Sequence, residues 1–208
     1  NEDSLRSSLE YHPTIILNYP RFAEDAMIRG VYTLGKMPIP LGNPDSVKAL
    51  VRNVGKQEIK NLKCYTYSRG NNAQQDSFTI SLKLGEEKFV MVPSLSPSKK
   101  GFDTVYVEAN DSNKANNTAF SYRLGNPNIY SYRDVTQSPA GGGIGFNGAQ
   151  GDFVARFHSN NKKNLNQITV AFSGSGRLFQ LGIWEHDTIK AQPGKEIYIS
   201  DSLYSKQG

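Results

Sequence analysis

Apolar and polar side chains alternate with a period of two in short runs along much of this chain, the pattern of strands that bury one face and wet the other. The clearest run is 101–109, where Asp103, Val105, Val107 and Ala109 alternate with Thr104, Tyr106 and Glu108. The stretch after it holds Asn110, Asp111, Ser112, Asn113, Asn116 and Asn117. Such short polar side chains tolerate left-handed backbone and bond locally, so a tight loop and a returning strand at 119–122 are expected. The same alternation predicts strands at 47–53, with Val47, Ala49 and Val51 on one face, and at 59–67, 78–84 and 88–92. Turn residues divide them: Gly42-Asn43-Pro44, Val54-Gly55, Arg69-Gly70-Asn71-Asn72 and Gly85-Glu86-Glu87. Pro38 and Pro40 mark 31–40 as an edge strand or a linker. About seven short strands between residues 30 and 125 predict an antiparallel two-sheet sandwich of the immunoglobulin type.

The flanking regions are less regular. Residues 1–29 read as a lead-in segment, with a short helix that Pro13 stops, a strand at 14–18 and a helical turn at 22–28. Leu124-Gly125-Asn126-Pro127 reads as an interdomain break. Residues 126–208 then predict a second, incomplete β-sandwich or jelly-roll module, with strands at 129–134, 152–158, 168–173, 178–184 and 197–200. The glycine-rich stretch 140–148 between the first two of these has no Lys-Ser or Lys-Thr and no following helix. It therefore fits neither a phosphate loop nor a dinucleotide fingerprint and is expected to be a loop.

Composition agrees with an all-β class: 11 Tyr, 10 Phe, 19 Gly and 10 Pro favour strands and turns over helices. The net charge of +5 comes from scattered residues, with only Lys99-Lys100 and Lys162-Lys163 adjacent. A nucleic-acid footprint would be clustered, so no nucleic-acid partner is expected. Cys64 is the sole cysteine, which rules out an internal disulfide; it falls in a strand pattern and is expected to be a small buried side chain. No apolar run reaches the length of a transmembrane helix, so no transmembrane segment is expected. The first residues, NEDSLRSSLE, lack the pattern of a secretory leader.

The stretches DSVKALVRNVGKQEIKNL, LGEEKFVMV and GFDTVYVEANDSNKANNTAFSYRL together resemble the bacterial cell-adhesion-related domain known as CARDB, an Ig-like module of extracellular proteins. The family's marks are a strand ending in N-x-G, matched by Asn53 and Gly55, and an L-x-x-G-E type turn, matched by Leu82, Gly85 and Glu86. A late Asn-rich loop is matched by Asn113, Asn116 and Asn117. Lys114-Ala115 stand where the family's pattern has an acidic residue, so no cation site is carried over. The stretches GFNGAQGDFVARF, LGIWEHD and QPGKEIYIS are similar to modules that follow such domains in large secreted proteins of Bacteroidetes-type bacteria, many exported by the type IX pathway. The resemblance implies a secreted or cell-surface location and a longer parent polypeptide.

Candidate chemistry is sparse. His12, His158 and His186 are the only histidines, and neither a Gly-x-Ser-x-Gly elbow nor a His-Glu-x-x-His helix is present, so no catalytic residue is assigned. Glu185, His186 and Asp187 are adjacent in extended chain and point apart. Asp103, Asp111 and Asp152 offer oxygen ligands, but without the twelve-residue calcium loop; no metal and no cofactor is assigned. Trp184 and Tyr198, with Tyr130, Tyr132 and Phe179, are candidates for sugar stacking or for core packing. Five of ten aspartates precede Ser or Thr and then an aliphatic residue. This resembles the O-glycosylation signal of exported Bacteroidetes-type proteins, with Ser4, Ser46, Thr104, Thr188 and Ser202 as acceptors; Asp-Ser and Asp-Thr also mark turns before strands. The function expected from all this is a non-catalytic structural or adhesive module pair with a protein or glycan ligand at the cell surface. The alternative is an accessory or carbohydrate-binding region of a larger secreted hydrolase.

Overall fold

The computed structural model describes residues 22–39, 46–133, 151–172 and 174–206. The expected helix and strand within 1–21, Ser4 and the glycine-rich stretch 140–148 lie outside the described residues.

Eight strands build a two-sheet sandwich: β1 (Ala26–Tyr32), β2 (Lys36–Pro38), β3 (Lys48–Asn53), β4 (Ile59–Gly70), β5 (Gln74–Leu82), β6 (Glu87–Met91), β7 (Gly101–Ala109) and β8 (Thr118–Asn126). One sheet has the order β1-β3-β6, the other β2-β8-β7-β4-β5. All pairings in the two sheets are antiparallel except β2 with β8, where Lys36 sits opposite Leu124 in a parallel pair. The chain crosses between sheets after β1, β2, β3, β5 and β6, which is the immunoglobulin-type winding the turn spacing predicted.

Alternation decides which side chains enter the core. On β7, Asp103, Val105, Val107 and Ala109 are buried, and Val47, Ala49 and Val51 meet them from the other sheet. Ala26, Ile28 and Val31 of β1, with Ile59, Cys64, Ile80, Leu82, Val92 and Leu95, complete the cluster. Fully burying a valine is worth about 1.5–3 kcal/mol, so Val51, Val105 and Val107 together contribute roughly 5–9 kcal/mol of favourable burial energy. Cys64 is buried as expected, and burial, with a smaller contribution from the Asp111 charge, pushes its thiol up to about 12.

Three local expectations need correction. Residues 26–28 belong to strand β1 rather than to a helical turn: Ala26 and Ile28 are buried on the sandwich face while Arg29 is exposed, a period of two rather than 3.6. Leu124 and Gly125 do not lie in a break, because β8 continues to Asn126, paired with both β2 and β7. Further on, residues 152–158 and 168–172 form no strand, although 152–158 alternates. Alternation makes a strand only where a partner supplies ladder hydrogen bonds, and in this segment the side chains of 151–171 are all exposed.

The remaining strands are β9 (Leu178–Phe179), β10 (Gly182–Asp187), β11 (Gln192–Ile199) and β12 (Leu203–Tyr204). They form two two-stranded antiparallel ladders, β10 with β11 and β9 with β12. All eight residues of β11 are exposed, so the described part of this β-rich region encloses no apolar core comparable to that of the sandwich.

Candidate functional site

Polar side chains concentrate in two clusters at opposite ends of β7. At one end, Asn53 ends β3 and is buried; its amide donates to the carbonyls of Gln57 and Lys83 at 2.8 and 3.1 Å and to that of Leu82 at 3.3 Å. Its Oδ1 accepts the Gly55 N–H at 3.0 Å. A Cβ on Gly55 would lie 2.6 Å from the Ala23 carbonyl, so only glycine lets the segment before β1 approach here. The turn after β5 closes through Gly85, at φ +71°, and through Glu86, whose carboxylate accepts the Lys83 N–H at 2.7 Å. That hydrogen bond, followed by the Lys88 ammonium, holds the Glu86 carboxyl below its ordinary range. The N-x-G and L-x-x-G-E marks are therefore one assembly, joined by the Asn53 side chain.

The Asn-rich loop belongs to the same end. Asp111 Oδ2 accepts the Ala26 N–H at 2.7 Å, which ties the loop to the start of β1. The buried Asp25 carboxylate accepts one amide N–H from Asn113 and one from Asn116, both at 2.9 Å. Asn117 donates across the hairpin to the Ala109 carbonyl at 2.9 Å. These bonds make the loop a clasp between β1 and the β7–β8 hairpin.

The other end holds a buried ion pair. Asp103 and Arg123, on neighbouring strands and in register, have fully buried side chains with Nη2 and Oδ2 3.5 Å apart. Asp103 also accepts the backbone and side-chain N–H of Asn72, both at 2.8 Å. Asn72 in turn accepts the N–H groups of Ser98 and Lys99 and donates to the Lys99 carbonyl. The network pins the β4–β5 turn to the long connection before β7.

The structure thus separates the three aspartates considered as oxygen ligands. Asp103 is engaged by Arg123 and Asn72, Asp111 lies in the clasp, and Asp152 is exposed outside the sandwich. Among the described residues, no group of three or more His, Cys, Asp or Glu side chains stands together. His186 has Arg156 Nη1 3.3 Å from its Nε2, and Asp187 Oδ1 caps the turn that follows by accepting the N–H groups of Ile189 and Lys190.

A further set of aromatic and charged side chains lies on the outer face of the five-stranded sheet. Because Asp103, Val105 and Val107 point inward, Thr104, Tyr106 and Glu108 point out, and register sets Tyr67 and Phe120 on either side of Tyr106. Tyr67 stacks on Tyr106 with centroids 5.0 Å apart at 11°. Tyr106 contacts Phe120 at 5.6 Å, and Phe120 contacts Tyr122 at 5.4 Å. The Arg69 guanidinium lies 5.4 Å from both stacked tyrosine rings, and the Lys63 ammonium 5.2 Å from the Tyr65 ring. Tyr67 Oη donates to Glu108 at 3.3 Å; burial and then the Glu108 charge push the Tyr67 hydroxyl above its ordinary value. Beside the stripe, towards β5, lies a shallow, open surface cavity of about 590 Å³ lined by Tyr65, Tyr67, Arg69, Gln75 and Glu108 among others.

Residue types taken singly do not reveal this surface. Parity held the signal: the inward Val105 and Val107 oblige Tyr106 to face water, and the same rule applied to β4 exposes Lys63, Tyr65, Tyr67 and Arg69 together. The two residues singled out for stacking sit elsewhere. Tyr198 pairs with Ile183 on the β10–β11 ladder, while Trp184, one residue on, lies over Gly182, whose Cβ would meet the indole. Of the candidate acceptors, Ser46, Thr188 and Ser202 are exposed, and Thr104 is half-buried in the middle of the sheet on β7.

Comparison with solved structures finds the CARDB domain of the PF1109 protein of Pyrococcus furiosus. The crystal structure of that domain in complex with di-metal ions is 17% identical, covers 51% of this chain and 97% of that chain, and has a TM-score of 0.43. Its solution NMR structure is 18% identical over 50% of this chain and 96% of that one, with a TM-score of 0.41. No family model and no curated protein matches the chain.

Proposed function

We propose that this chain is a non-catalytic structural and adhesive section of an exported surface protein, in which the sandwich is a rigid support and the outer face of its five-stranded sheet is the ligand-bearing surface. The observation that carries this reading is the aromatic stripe Tyr67, Tyr106, Phe120 and Tyr122 crossing three strands, with Phe120 51% exposed. Aromatic side chains offer large contact area at little entropic cost, which makes them the common anchors of recognition surfaces. The polar clusters at both ends of β7 have a different task, since their groups are engaged in holding strands and loops together. An exported setting agrees with the exposed Asp-Ser and Asp-Thr acceptors at Ser46, Thr188 and Ser202.

The test is attachment of beads coated with the full chain to cell and matrix surfaces. The Tyr106→Ala/Phe120→Ala variant is expected to lose most retention with its unfolding midpoint nearly unchanged. Equal retention of the variant refutes the assignment of this face, and turnover of a glycoside or peptide substrate by the purified chain refutes the non-catalytic reading.

A further inference from the structure

Along the outer side of β4, alternate positions read Lys63, Tyr65, Tyr67 and Arg69: a cation at each end and two aromatic rings between. Six residues of strand separate the two cations, a span of roughly 20 Å. Among the described residues no carboxylate pairs with Arg69, whose guanidinium is held in place by Tyr67 and Tyr106 while its side chain remains exposed. A fixed guanidinium with open donors is preorganised to take a carboxylate through two parallel hydrogen bonds.

Tyr67 gives one face to Tyr106, and the cavity, which Tyr67 lines and Tyr106 does not, adjoins its other side. The remaining groups around the cavity are hydrogen-bonding ones. Gln75 sits opposite Tyr67 on β5 with its amide exposed, and Glu108 sits opposite Tyr65 on β7. The charged groups on this strip are Lys63, Arg69 and Glu108, which sum to one positive charge.

We infer that the strip along β4 binds a saccharide carrying carboxylates, a uronate-containing oligosaccharide running parallel to the strand, with one carboxylate on Arg69, pyranose rings against Tyr65 and Tyr67, and hydroxyl groups donating to Glu108. This names the ligand class of the adhesive face and rests on that reading. A saccharide fits the mixture better than other polyanions. Its hydroxyls are donors that a carboxylate such as Glu108 accepts, so the strip can engage both the charged and the neutral groups of such a ligand.

Titration calorimetry of the full chain tests the inference, with galacturonate and glucuronate oligosaccharides, their carboxyl-reduced counterparts and a single-stranded oligonucleotide as probes. The uronates are expected to bind more tightly than the reduced sugars by on the order of 10-fold or more, the worth of a charge-assisted hydrogen bond. Arg69→Ala removes that preference, Arg69→Lys restores part of it, and Tyr67→Ala weakens both sugar classes, each with an unfolding midpoint close to that of the parent. Equal binding of uronates and reduced sugars, no binding of either, an Arg69→Ala variant that binds uronate unchanged, or tighter binding of the oligonucleotide overturns the inference. Attachment to cells through Tyr106 and Phe120 by a chain that binds no uronate overturns it while leaving the adhesive reading in place; failure of both assays overturns both.

Discussion

Replacing Asp103 with Asn keeps the shape of the side chain and removes its charge, which tests what the buried ion pair and the hydrogen bond beside it contribute. The Asn72 backbone N–H keeps its acceptor at Oδ1, but the second bond from Asn72 Nδ2 now meets an NH₂ group, and the Arg123 guanidinium stays fully buried without its carboxylate. Coulomb's law at 3.5 Å with an effective dielectric constant near 20 gives roughly 5 kcal/mol for the pair. Removing one partner of a buried pair costs about 3–5 kcal/mol in comparable cases. Two independent routes thus place the loss at about 3–5 kcal/mol, a large fraction of the roughly 5–15 kcal/mol that stabilises a typical domain. Urea unfolding followed by far-ultraviolet circular dichroism measures it: with a slope of about 2 kcal/mol/M, the midpoint falls by roughly 2 M. The exposed Asp76→Asn variant serves as the control and is expected to stay within about 0.5 kcal/mol of the parent. An Asp103→Asn loss below about 1 kcal/mol at unchanged slope would refute the claim that this pair ties the β4–β5 turn to the chain before β7.

Two further outcomes follow from the same packing. Asn53→Ala removes the amide that bridges the Gln57, Leu82 and Lys83 carbonyls and leaves the buried Gly55 N–H without its acceptor, and is expected to cost about 1–3 kcal/mol in the same unfolding assay. Cys64 should resist iodoacetamide in the folded protein and react at the rate of global unfolding. Its folded pKa, about 12 against an ordinary 9.0, means that its stabilising contribution is complete below pH 9 and is lost as pH rises towards 12, a slope that Cys64→Ala should lack.

The fold was legible where one residue type has one physical use. Val54-Gly55 and Gly85-Glu86-Glu87 read as turns because glycine serves a close backbone approach and a positive φ, whereas Asn53 stands out only through the resemblance, and its role as a buried cap is visible only in the structure. The strand 101–109 was equally plain, since its alternation extends over the whole element. What sequence proximity could not supply was the partner. Asp25 and Asn116 are 91 residues apart and Asn72 and Asp103 are 31 apart, so a loop rich in Asn gave no hint of the strand it clasps. For the same reason the alternation at 152–158 makes no strand: a half-buried pattern identifies a strand only together with its neighbour. The aromatic stripe needed both pieces of information, strand parity and the register that brings Tyr67, Tyr106 and Phe120 side by side.

The outer face of the five-stranded sheet as the ligand-bearing surface is tested most directly by amide chemical-shift mapping of the full chain during titration with a uronate oligosaccharide. The expected perturbations lie on residues 63–69 of β4, at Gln75 and at Tyr106 and Glu108, and leave the Asn113–Asn117 clasp unmoved. Perturbations centred on that clasp, or on Trp184 and Tyr198, would contradict it.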